Sequence, residues 1–128
     1  MVRVVAFAFI ALTGIVAAAA DDGRALNGQE IKDTISGRRI YLHMPLGEFP
    51  LYYRTDGVVD GSGQAMGLGR LMQPTDSGKW WIEKDALCQR WQKWYSGRQY
   101  CFAIRSISPG RIFWRRNDGL SGTARVAD

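Results

Sequence analysis

A lone histidine, a glutamate close to it, two cysteines and a set of aromatic residues interleaved with basic ones are the groups in this chain that carry chemistry. His43 is the only histidine, so it is the one side chain whose ordinary pKa lies close to neutral pH. Glu48 follows it across Pro45-Leu46-Gly47, and a turn there brings the two side by side. An imidazole, a carboxylate and neighbouring arginines would suit a small secreted hydrolase acting on an anionic substrate. The imidazole would move the proton and guanidinium forks would hold phosphate or carboxylate. The spacing matches no hydrolase motif, however. Ser62 sits in Gly61-Ser62-Gly63 rather than in a G-x-S-x-G elbow. Asp56, Asp60 and Asp118 each precede a glycine, which is turn chemistry, and none has the spacing of a calcium loop. The sequence therefore reads against catalysis, with His43 and Glu48 as the catalytic candidates if that reading fails. One histidine and two cysteines fall short of a zinc site, and no metal or cofactor is expected.

The aromatics offer a different chemistry. Five tryptophans and five tyrosines are present, and Trp80, Trp81, Trp91, Trp94, Tyr95 and Tyr100 crowd one stretch. Trp80 and Trp81 are adjacent, so a strand sends them to opposite faces, one to a core and the other outward. Trp94 and Tyr95 fall where a hairpin tip is expected, next to Lys93 and Arg98. Rigid aromatics beside arginine are the residue types that dominate interfaces. Trp81, Lys93, Trp94, Tyr95 and Arg98 are thus the expected ligand or partner surface. It would suit a protein, a sugar or a peripheral membrane contact. Arg38-Arg39, Arg115-Arg116, Arg90, Arg98, Arg105 and Arg111 are either a solvated face or, if clustered, a bidentate site for anions. Seventeen Lys and Arg against twelve Asp and Glu is a modest basic excess. It favours anionic envelope components such as acidic glycans or phospholipid headgroups. An exported domain without a recognised motif argues against nucleic acid.

The elements that position these residues can be read in order. The start, Met1-Val2-Arg3 followed by an apolar run to Val16 and by Ala17 to Ala20, has the layout of a secretory signal. Cleavage is expected after Ala20, with Ala19 as the alternative. The run also lies at the lower edge of a membrane span, but its alanine-rich end and the Asp21-Asp22 that follows favour cleavage. Residues 21–128 then form one domain in the periplasm or outside the cell. In such a compartment two cysteines read as a disulfide, and Cys88 with Cys101 is the one pairing within the chain.

A helix is predicted over Gly28–Ser36. Asn27 is its N-cap, Glu30 completes a capping box, Gly37 is the stop, and Leu26, Ile31 and Ile35 form the packed face. From there the period becomes two. Strands are predicted over 39–44, 48–54, 58–59, 79–83, 87–91, 99–105, 111–116 and 121–126, joined by Asp-Gly, Pro-Gly and Asn-Asp-Gly turns. Pro50 marks its strand as an edge or a bulge. Residues 64–77 read as a loop with a weak strand at 68–72. Seven or eight short strands indicate an antiparallel barrel or sandwich. Opposing Cys88 to Cys101 pairs Arg90 with Gln99 and sets Trp94-Tyr95 at the tip.

Several pieces resemble a family of small exported alphaproteobacterial proteins known as a domain of unknown function. They are Tyr52-Tyr53-Arg54-Thr55-Asp56-Gly57 with Gly61, then Gly78-Lys79-Trp80-Trp81-Ile82, Leu87-Cys88 with Trp91, and Cys101 with Ile104. The resemblance spans roughly residues 31–126. It implies export, the disulfide and a lipocalin-like or split-barrel β fold, and it brings no catalytic residues. Residues 64–77 and the Trp94-Tyr95 tip are particular to this chain. The expectation is an exported, non-enzymatic binding or accessory module. It would recognise an envelope component, a small ligand or a partner protein through its aromatic-basic surface rather than through an internal cavity.

Overall fold

The computed structural model describes residues 23–62 and 75–127, together with residues 5, 6 and 8. The predicted cleavage position and all of 64–77 except Thr75–Ser77 lie outside the described residues.

The chain is mainly β. After a two-residue strand β1 (Arg24–Ala25) comes the helix α1 (Gly28–Ile35). Eight strands follow: β2 (Arg38–Met44), β3 (Gly47–Tyr53), β4 (Val58–Ser62), β5 (Thr75–Glu83), β6 (Ala86–Trp91), β7 (Gln99–Ser108), β8 (Arg111–Arg116) and β9 (Ser121–Val126). Each pairs antiparallel with the next, and β9 returns to β2 through Ile40↔Val126, Tyr41↔Arg125 and Leu42↔Ala124. The result is an up-and-down barrel whose eight strands leave no open edge. β1 pairs with the end of β7 that extends past β6.

Alternation supplies the core. Ile40, Leu51, Tyr53, Val59, Trp80, Leu87, Trp91, Ile104, Ile112 and Ala124 point inward and are buried, each two residues from the next inward position of its strand. Closure corrects the expectation for Pro50. β3 lies between β2 and β4 and is not an edge, and Pro50 sits one residue beyond the part of β3 that pairs with β4, Leu51–Tyr53. Three strands are longer than expected. β7 runs on to Ser108. β4 runs on through Asp60-Gly61-Ser62, and β5 begins at Thr75, so the predicted loop ends in a strand. Gly61 and Gly78 are inward positions of β4 and β5, against which Trp94 and the β6 backbone pack.

The helix plugs one end of the barrel. Asn27 Oδ1 accepts the Glu30 N–H at 2.9 Å, and Glu30 Oε1 accepts the Asn27 N–H at 3.1 Å. In the β5–β6 turn, Asp85 accepts the Gly28 N–H at 2.7 Å. So held, α1 inserts Ile31 and Ile35, both wholly buried, into the core. Cys88 and Cys101 face each other across β6 and β7 and form a disulfide, with Arg90 opposite Gln99 as the sequence register requires. No helix among the described residues is long and apolar enough to cross a membrane.

Candidate functional site

At the end away from α1, the connections β2–β3, β6–β7 and β8–β9 surround the barrel opening. Among the described residues the interior is not filled. A cavity of about 250 Å³ runs from Ile35 at the helix end to Met44, Tyr95 and Leu120 at the opposite mouth. Its wall is made of inward strand positions, among them Leu42, Leu51, Phe102 and Ile112. An engineered apolar cavity of about 150 Å³ holds benzene, so this one has room for roughly ten heavy atoms. It is smaller than the roughly 300–1,000 Å³ of drug-sized pockets.

Polar groups interrupt the apolar wall at three places. Tyr53 donates its hydroxyl to Gln89 Oε1 at 2.7 Å. Burial raises the Tyr53 pKa far above the ordinary phenol range, so the hydroxyl keeps its proton. Trp114 lies against Gly122, the residue opposite it in β9, where a Cβ would stand 2.6 Å from its ring. Its indole nitrogen is buried without a hydrogen-bond partner among the described residues. A buried N–H left unpaired costs about 1–3 kcal/mol. At the mouth, Arg116 gives Asp118 two hydrogen bonds of 2.8 and 2.7 Å and lies 4.2 Å above the Tyr100 ring. That pairing holds the Asp118 carboxyl down at about 2 and raises Arg116. The Arg116 charge is already met, which favours a neutral acceptor over an anion as the cavity's ligand.

The tip of β6–β7 departs from expectation. Trp94 is not part of an exposed surface: only 6 % of it is accessible, and it packs on Phe49 and Trp91. The cause is Asp76, an inward residue of β5 whose Oδ2 accepts the N–H groups of Lys93 and Trp94 at 2.8 and 2.9 Å. Tyr95, Ser96 and Gly97 all take positive φ and fold the tip back over the opening. Gly61 leaves the space, since a Cβ there would stand 2.5 Å from the Trp94 ring. Of the remaining residues of the expected surface, Tyr95 is half exposed and Lys93 and Arg98 are exposed. Trp81 lies on the outer wall opposite Cys88 and donates to Glu83 at 3.2 Å. Trp80 is its inward neighbour, buried, donating to the Arg54 carbonyl at 2.9 Å. Trp81 shares one outer groove with Ser96 and Gly97 of the tip, so of the five expected residues it is Trp94 that is withdrawn from the surface.

His43 and Glu48 do face each other across β2 and β3. Both are exposed on the outer wall, and neither lines the cavity. Arg125 takes Glu48 in two hydrogen bonds of 3.0 Å, and this pair, with smaller contributions from His43 and Arg111, lowers the Glu48 pKa. Glu48 is thus an ion-pair partner rather than a proton donor at neutral pH. On the same wall Arg111 stands opposite Arg125, with Arg39 over Tyr52 and Arg115 over Phe113. Glu83 lies within 4.8 Å of both cysteine sulfurs, but the disulfide leaves no thiolate there to bind a metal.

The comparisons give no relative. No protein-family model, no curated protein and no solved structure matches the chain. The resemblance carried by the Tyr-Tyr, Gly-x-Trp and Leu-Cys pieces thus rests on those residues alone. In the structure they are turn, strand and disulfide positions.

Several site residues escaped the sequence reading. Gln89 and Trp114 had a usable signal, because each stands two residues from an inward apolar position, Leu87 and Ile112. Asp76, Gly61 and Gly122 had none, since their roles depend on which residue faces them across the sheet.

Proposed function

We propose that the protein is an exported, non-enzymatic binding module that holds one small, mostly apolar molecule with a single acceptor atom inside its barrel. The observation that carries this reading is the apolar cavity in the described barrel, which Trp114 helps to line; the buried indole N–H of that residue lacks a partner among the described residues. A closed eight-stranded barrel is wide enough for one small ligand. Export is supported by the signal-like start and by the disulfide, which persists in an oxidising compartment such as the periplasm. What speaks against a hydrolase is that His43 and Glu48 stand on the outer wall, with the carboxylate tied to Arg125.

The test is uptake of 1-naphthol, a two-ring apolar probe with one oxygen, measured by equilibrium dialysis against the oxidised protein. Saturable binding of about one probe per chain is expected, weakened in Trp114→Phe and unchanged in His43→Ala. Absence of saturable uptake refutes the reading.

A further inference from the structure

We propose that the open end of the barrel is a docking surface for an anionic phospholipid bilayer, against which the cavity exchanges its ligand. This inference rests on the cavity being a ligand site. Among the described residues, five large hydrophobic side chains are exposed on the barrel: Met44, Leu46, Tyr52, Tyr95 and Leu120. All but Tyr52 sit at or beside the three described connections of the open end, and Met44, Tyr95 and Leu120 also line the cavity mouth. Turns favour glycine, proline and short polar residues. Leu46, 82 % exposed, and Leu120, 52 % exposed, therefore stand out in two of these turns. Exposed apolar groups gathered at one end of a barrel mark an interaction site.

Charge selects the partner. Lys93 and Arg98 flank Tyr95 and make no ion pair among the described residues. The carboxylates of this end are engaged already: Asp118 with Arg116, Glu48 with Arg125, and Asp76 with two backbone N–H groups. The rim is thus apolar at its tips and positive at its flank, which suits acyl chains beneath anionic headgroups. The apolar side chains ring an opening instead of forming a flat patch with a central anchor, as a protein interface has. A bilayer laid on that ring lets an apolar ligand pass between membrane and cavity without crossing water.

The experiment is co-sedimentation of the purified oxidised protein with vesicles of phosphatidylcholine alone and of phosphatidylcholine mixed with phosphatidylglycerol. Binding is expected to the mixed vesicles and to be weaker to phosphatidylcholine. Leu46→Asp combined with Leu120→Asp, both at exposed positions, should weaken binding to mixed vesicles by at least about tenfold. Its circular dichroism should remain that of the parent, and Leu46→Asp alone, at a position outside the cavity lining, should leave naphthol uptake unchanged. Failure of the parent to bind mixed vesicles, or equal binding by the double variant, overturns the proposal. So does a leucine-dependent self-association in the absence of lipid. If naphthol uptake fails while leucine-dependent vesicle binding persists, the cavity reading falls and the docking surface stands.

Discussion

Asp76 shows how one side chain decides what a loop can do. Its carboxylate accepts two successive N–H groups at the start of the β6–β7 connection, turning Trp94 inward and leaving Tyr95 outside. Asp76→Ala strands both donors and should lower stability by about 1–3 kcal/mol. Tryptophan fluorescence of the folded variant should shift to the red as Trp94 meets water, and urea unfolding with emission spectra checks both. At the rim, Asp118 is held at about 2, well below its ordinary 3.8, chiefly by its hydrogen bonds to Arg116. A carboxyl depressed in this way contributes stability above its unfolded pKa and loses it as pH falls through the folded one. Glu30, paired with Arg24, and Glu48, paired with Arg125, are shifted in the same direction. Unfolding midpoints should therefore fall between about pH 4 and pH 2, and Asp118→Asn should flatten part of that slope. A midpoint that stays level over this range contradicts the Arg116–Asp118 pairing.

At the scale of elements, local rules did most of the work. The Asn27–Glu30 capping box, the two-residue alternation of β2, β7 and β8, and the Cys88–Cys101 register were all legible, because each depends on neighbours in sequence or on one cross-link. What was hidden depended on the third dimension. The tip residue Trp94 reads as exposed until Asp76 and Gly61 are brought beneath it. Gly122 and Ala124 face Trp114, Ile112 and Leu42 in pairings that only the closed sheet sets. Glu48 reads as a catalytic partner for His43 until β9 supplies Arg125. The disulfide ties two strands that pair over only four residue positions, Leu87–Arg90 against Gln99–Phe102. Closing a loop of about 14 residues, it should contribute roughly 3 kcal/mol. Cys88→Ala with Cys101→Ala should lower the free energy of unfolding by that order in denaturant titration, and an unchanged value contradicts a structural role for the bond.

For the whole molecule, the described residues seal one end and leave the other open. α1 and the Asp85 turn close the first, while hairpins with leucine, methionine and tyrosine at their tips frame the second. Between them lies an apolar space of about 250 Å³ with a buried donor that nothing among the described residues satisfies. A binding module is the function this arrangement supports best. The most direct test follows the Trp114 indole N–H by two-dimensional ¹H–¹⁵N NMR while 1-naphthol is added, with Trp114→Phe fixing the assignment. The signal should move downfield and saturate at about one probe per chain as the N–H gains an acceptor. An unmoved Trp114 signal, with shifts confined to residues of the outer wall, contradicts ligand binding inside the barrel.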